Sequence, residues 1–428
     1  MKNLQILLSV ASLLNSVGIC QADNEEIPKR DFFSDLWQRE TLADGYFGLN
    51  NQLSNSGVEV GLGVTQIYQQ NARGGISTHR KAGRYSGSYD LELSIDLQQL
   101  LCAEACPEGS RGKGNLFIHG EGGWPNIEGI DEVSVGSALG VNADAIEKSI
   151  MDVVELYYEG PVFDNAFNLM IGKIDFTGIF DASTFADDET SQFLNGAFVD
   201  NPTIPFPDYS LGVVLSFDLN NSCYISGGIA DAQANGRGTG FRTAFNGENY
   251  FFYVLETAVT AQLNSANGPT QGTYRLGLWY DPQPKVDSDS GRNYRDDVGF
   301  YLTCDQVLVK ENAKPEDSQG LGALIRYGYA SSKGNDITNF WSSGFQYQGL
   351  IEGRDNDVLG VGFAYGVFSD MASSTYYEDY ESAVELYYNI QISPWLNVTP
   401  DVQYIANPGG AKGVSDAIIF GVRTQMRF

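Results

Sequence analysis

Histidine is nearly missing from this sequence, basic residues are scarce, and no long apolar run follows Leu14. His79 and His119 stand alone and far apart in the chain, too little imidazole for a histidine-based triad or metal centre. Lys and Arg number 26 against 54 Asp and Glu, a formal charge of −28. No basic stripe stands out, which excludes a nucleic-acid partner held through its phosphates. A membrane helix needs about 20 consecutive apolar residues, so a helical membrane protein is excluded as well. The stretch DSDSG (287–291) has two aspartates of a calcium loop but lacks the remaining ligands and the closing acid. No catalytic residue, metal or cofactor is expected.

Glycine (49), Tyr (24) and Phe (24) are plentiful, a composition that suits many short strands joined by turns. The opening MKNLQILLSVASLLNSVGICQA has Lys2, an apolar stretch from Leu4 to Leu14 and a small Ala22 at a cleavage position, so 1–22 reads as a signal peptide. A lipoprotein site at Cys20 is the lesser alternative, because Ile19 is a poor fit to the small residue required before it. Residues 23–50 begin with a charged segment carrying Phe32, Phe33, Leu36 and Trp37 near helical spacing, expected to be a periplasmic or plug segment ahead of a barrel over 51–428. In an oxidising compartment Cys102 and Cys106 of CAEAC read as a local disulfide in preference to free thiols. Cys223 and Cys304 fall within strands as small packing residues.

The chain ends on SDAIIFGVRTQMRF. Ile418, Phe420, Val422, Thr424, Met426 and Phe428 share one parity, and Gly421, Arg423, Gln425 and Arg427 the other. Strand side chains alternate between faces, so one face is apolar and the other charged. The same alternation recurs in TYRLGLWYD, VELYYNIQIS and LNVTPDVQY, and about sixteen such segments run from 57–69 to 416–428. Most match the roughly 9 to 11 residues of a tilted membrane strand. The connections NNS (220–222) and SP (393–394) are tight, whereas those near 123–150, 176–209, 232–249 and 282–296 are long. A soluble sandwich would hide its apolar face in a core. Here Tyr274, Tyr280, Tyr388, Tyr404 and Phe428 sit near strand ends on the apolar parity, as the interfacial girdles of a membrane barrel do. The expectation is an all-β transmembrane antiparallel barrel of about sixteen strands, with short periplasmic turns and long extracellular loops. Its last strand closes the barrel, and Phe428 addresses it to the outer-membrane assembly machinery.

Several stretches resemble the OprB-type carbohydrate-selective porins: ELYYEGPVFDNAFNLMIGKID, FLNGAF, GTYRLGLWYD, GFYLTCDQVLV, QGLGALIRYGYA, YQGLIEGRDNDVLGVGFAYG and SPWLNVTPDVQYIANPGG. The resemblance extends from about Tyr46 to Phe428 in a consistent order; the cysteines and the acidic external loops depart from it. It implies a passive porin in the outer membrane of a Gram-negative bacterium, surrounded by lipid, admitting small glucose-like sugars without cofactor or energy, with room for a homo-oligomer. The alternatives are a general or cation-preferring porin and, less favoured, a lipase-like barrel enzyme or a non-transporting receptor.

A sugar pore needs hydrogen-bonding groups for hydroxyls and flat apolar surface for the ring. The inward parity offers Arg275, Arg326, Arg423 and Arg427 as donors, Glu155, Glu159, Glu256, Glu385 and Asp401 as acceptors, and Tyr157, Trp279 and Tyr387 as rings. Taken singly, each is more simply a salt bridge or solvated residue of the lumen wall; taken together they suit a sugar path. Opposed Arg and Glu would neutralise one another and disfavour ion selectivity. The stretch FTGIFDASTFADDETSQFLNGAF (176–198) is long enough to fold inward and narrow the channel, with Asp187, Asp188 and Glu189 expected as a solvated or calcium-touching tip.

Overall fold

The computed structural model describes residues 35–101, 114–124, 129–145, 151–234, 249–286, 291–314, 318–370 and 376–428. The leader, most of the charged segment after it, Cys102, Cys106 and most of DSDSG lie outside these residues. Trp37–Phe428 forms one compact unit.

Its strands are β1 (Val58–Gly75), β2 (Gly83–Asp96), β3 (Asn115–Gly123), β4 (Asp152–Val162), β5 (Phe167–Ile174), β6 (Ser210–Asn220), β7 (Cys223–Asp231), β8 (Phe251–Ser265) and β9 (Gly268–Asp281). They continue with β10 (Lys285–Val286), β11 (Asn293–Tyr294), β12 (Asp297–Lys310), β13 (Gly320–Ala330), β14 (Ile337–Gln348), β15 (Val358–Phe368), β16 (Tyr380–Ser393), β17 (Leu396–Ala406) and β18 (Ser415–Arg427). β10 and β11 form a separate hairpin within one long connection; the other sixteen strands close a single antiparallel barrel in chain order, with β18 returning to β1. Closure is a regular ladder from Gly63 opposite Arg427 to Asn71 opposite Ile419. It leaves no open edge, as a spanning sheet in lipid requires.

Neighbours on one strand settle which face is which. Ile325 is 60% exposed while Arg326, the next residue, is 1% exposed. Leu255, Leu278, Val361 and Leu386 are likewise exposed, and Glu256, Asp305, Glu385 and Gln403 are buried. This is the inverse of a water-soluble sandwich. The apolar outer face carries a row of rings whose centroids step from Tyr327 to Trp341 (5.2 Å), on to Tyr365 (6.1 Å) and then to Tyr380 (4.8 Å). A ring in that position keeps its apolar body in lipid and its polar tip in the headgroups. The Tyr280 hydroxyl donates to Asp296, just ahead of β12, and the Tyr404 hydroxyl to Asp416 at the start of β18.

The tight turns after Asn220 and Ser393 lie on the rim that also bears the C-terminus, and the four long connections lie on the opposite rim. That asymmetry is the one outer-membrane barrels display, short turns facing the periplasm. Under the periplasmic rim two short helices, Asp44–Phe47 and Leu49–Ser54, precede β1. Leu42 N–H donates to the Arg427 carbonyl at 2.8 Å, and Trp37 stacks on Trp395 at 5.8 Å. Cys223 and Cys304 are free thiols.

Candidate functional site

The connection between β5 and β6 (175–209) turns into the barrel. Phe176, Phe180, Phe185, Phe193 and Phe198 are far too apolar for a solvated loop, and four of them are fully buried. Phe193 stacks on Phe198 at 4.4 Å and meets Tyr387 of β16 edge-on at 4.9 Å. Inward glycines make room: a Cβ on Gly228 would lie 2.7 Å from the Phe176 ring, and one on Gly362 would lie 2.5 Å from the Phe198 ring. A second connection, 129–145, packs on the first; Ala143 N–H donates to the Leu194 carbonyl and Gly196 N–H to the Gly140 carbonyl. With inward wall residues such as Leu324, Phe340, Phe368 and Ile419 they form a hydrophobic core on one side of the barrel.

Polar wall residues then tie the inserted backbone down. Glu385 accepts from the consecutive amides of Leu194 and Asn195, both at 2.8 Å. Glu256 accepts from the Asp181 amide at 2.9 Å and from the Tyr301 and Tyr224 hydroxyls at 2.8 and 2.6 Å. Arg326 donates to the carbonyls of Phe198 (3.0 Å) and Asp181 (2.9 Å) and to the Asp187 carboxylate (2.6 Å), with Asp181 also 3.3 Å from its Nε. Arg423 donates to the carbonyls of Glu189 and Gln192. Arg275 pairs with Asp305 at 2.9 Å, and Asp305 also accepts from Ser183 and Thr184 of the loop. A buried backbone group without a partner is costly, so this set of anchors is what lets a loop lie inside a barrel.

The residues singled out by parity differ in their surroundings. Arg326, Arg423, Glu256, Glu385, Tyr387 and Trp279 are buried between wall and loop. Trp279 faces Phe252 and has Lys285 Nζ 5.7 Å from its ring centre. Tyr157 packs on Phe117 at 5.1 Å, and Glu159 accepts from Asn168 at 2.7 Å nearer the periplasmic rim. The open space lies on the other side of the loop, against β1 to β4. It is a cavity of about 990 Å³, and of the inward donors, acceptors and rings named from the sequence Glu155 and Arg427 border it.

That cavity is acidic. Among the described residues eleven carboxylate side chains border it, including Asp90 and Glu92 of β2, Glu121 of β3, Asp144, Asp175, Asp200 and Asp208, against the single guanidinium of Arg427. Asp187, Asp188 and Glu189 also border it, in place of the solvated tip expected for them, because the phenylalanines and the wall anchors draw the loop inside. Most arginine pairing takes place behind the loop; among the cavity carboxylates Asp187 meets Arg326, and Asp90 and Glu155 meet His119, so negative charge remains in excess. Burial pushes the Asp187 carboxyl up to about 6 even beside Arg326. Burial first, and then Asp188, Asp200 and Asp90, push Glu189 up to about 8. His119 is clamped in the wall, its Nε2 3.2 Å from Asp90 and its Nδ1 3.2 Å from Glu155. Phe206 and Tyr209 supply rings at the cavity edge. The inward acids of β2 were readable from YDLELSID, where Asp90 and Glu92 alternate with Leu91 and Leu93; Asp144 and Asp200 are in loops, where parity has no meaning.

Residues 80–428 match the family model of the carbohydrate-selective porins, OprB family. Porin B of Pseudomonas aeruginosa is 22% identical over 423 residues, covering 89% of this chain and 90% of that one. A putative porin, QuiX, of Acinetobacter baylyi is 25% identical over 44% of this chain and 47% of its own. Among solved structures, the high-pH structure of Pseudomonas putida OprB superposes with a TM-score of 0.78 at 18% identity, covering 92% of this chain and 100% of that one. A closed sixteen-strand barrel with its polar residues inside, and a family match across most of its length, place the chain in the OprB family of carbohydrate-selective porins, proteins of the Gram-negative outer membrane.

Proposed function

We propose that the protein is a passive pore for small glucose-like sugars entering the periplasm. The observation that carries this reading is the inserted loop, which reduces the barrel interior to a cavity of about 990 Å³ bordered by acceptors for hydroxyl hydrogens and by the rings of Phe206 and Tyr209. A diffusing solute must exchange water for partners strong enough to admit it and weak enough to release it. Rows of single carboxylates and backbone carbonyls meet that need for a polyol. Arg275, Trp279, Arg326, Arg423, Glu256, Glu385 and Tyr387 act on the path through the loop they hold.

A lipase-like reading has little to rest on. Both nitrogens of His119 face carboxylates, so neither is free to take a proton from a serine. Liposome swelling with a panel of sugars tests the proposal. Swelling that ranks monosaccharides ahead of disaccharides and of anionic solutes of equal size is expected; no swelling with any sugar by correctly folded protein would refute it.

A further inference from the structure

Asp144 stands in the inserted connection between β3 and β4 and borders the cavity. Only 4% of it is exposed. One carboxylate oxygen accepts from the Ser88 hydroxyl at 2.7 Å, and the other meets no hydrogen-bond donor among the described residues. The position is built. Asn142 donates to Ser86 at 2.9 Å, Ala143 N–H is held by Leu194 at 2.8 Å, and Gln69 and Gln403 both donate to the Val141 carbonyl. Burial, and then Glu189 and Asp90, push the Asp144 carboxyl well above the usual carboxylate range, with the Ser88 hydrogen bond and Arg423 acting the other way. A cationic donor that reaches it favours the ionised form, takes the place of the proton and completes the unused oxygen.

We infer that this cavity selects positive charge and accepts protonated amino sugars, hexosamines, ahead of the neutral sugars of the same size. The inference rests on the sugar-pore reading and narrows it. The ammonium group donates to the free oxygen of Asp144 while the ring hydroxyls donate to the neighbouring carboxylates, as they would for glucose. Like charges gathered in a low-dielectric cleft raise the local concentration of an oppositely charged solute. The arginines that could offset them are engaged behind the loop with carbonyls and with Asp181 and Asp187. An anionic sugar of the same shape meets the opposite field and is retarded.

The test compares liposome swelling with glucosamine, glucose and glucuronate, together with the reversal potential of the purified full-length protein in a planar bilayer under a potassium chloride gradient. The expected order is glucosamine, glucose, glucuronate, with a cation-selective potential. One unit charge at contact distance in a water-filled site corresponds to about a fivefold rate difference between successive sugars. Asp144→Asn, which keeps the size and the Ser88 contact, should bring the glucosamine rate to within about twofold of glucose. Glu189→Gln, in a different segment, should lower the reversal potential measured above pH 8, where Glu189 is charged, as a second reading that does not depend on the Asp144 variant folding. Glucose swelling without any advantage for glucosamine, or a reversal potential near zero, overturns the inference and leaves the sugar pore standing. An unchanged glucosamine advantage in folded Asp144→Asn removes Asp144 from the path. No swelling with any sugar overturns both readings.

Discussion

Arg326 Nη2 lies 2.6 Å from Asp187 Oδ1, and this contact joins the barrel wall to the loop that narrows it. The same guanidinium reaches two carbonyls of that loop. Its planar fork therefore holds three points of the loop at once, something a lysine could not do.

Replacing Arg326 with Met leaves Asp181 and Asp187 buried without their cation, and breaking such a pair costs about 3–5 kcal/mol. The expected outcome is a lower denaturation midpoint and a larger single-channel conductance as the loop leaves the waist. Arg326→Lys should recover only part of either property. Unaltered conductance in Arg326→Met would show that the loop is held without it.

Charge in the waist should follow pH. Carboxyls with raised pKa carry charge only above it, so Glu189 contributes above about 8 and Asp187 above about 6. Cation preference in reversal-potential measurements should therefore be greatest in mild alkali and fall in two steps as pH is lowered through these values. Glu189→Gln should abolish the upper step and spare the lower. A preference that stays flat across both values would contradict the assignment.

The two faces of the barrel should respond oppositely to charge. Leu276→Arg places a cation in lipid and should cost about 2–4 kcal/mol near the midplane. Its neighbour Gly277 is not a fair control, because a Cβ there would lie 1.9 Å from the Tyr301 ring. Gly61 is a better one, since it borders the cavity and its nearest neighbour, Glu92, would be 3.7 Å from a new Cβ. Gly61→Arg should fold normally and weaken cation preference. Equal destabilisation of the two variants, read from urea unfolding in detergent, would undo the assignment of faces.

Phe428 N–H donates to the Leu62 carbonyl at 2.9 Å, beside the ladder that closes the barrel. Phe428→Asp should lower the amount of heat-modifiable protein in outer-membrane fractions, since an aromatic end is the address proposed for the assembly machinery. Wild-type levels would argue that closure and targeting do not depend on this ring.

Parity alone determined the barrel. A period of two, repeated about sixteen times with apolar residues on one side, has one low-energy arrangement in lipid, and the tight turns and long connections then orient it. Which inward residues meet the solute was decided elsewhere. Arg326 and Glu385 share their parity with Asp90 and Glu92, yet the first two are sealed under a loop and the second two border the cavity. The difference comes from contacts between residues more than a hundred positions apart, such as Glu385 with Leu194 and Arg326 with Asp187. Local alternation carries no record of them. An inserted loop redistributes charge between a dry wall and a wet passage only once the barrel has closed around it, and for that reason the acidity of the waist belongs to the tertiary structure.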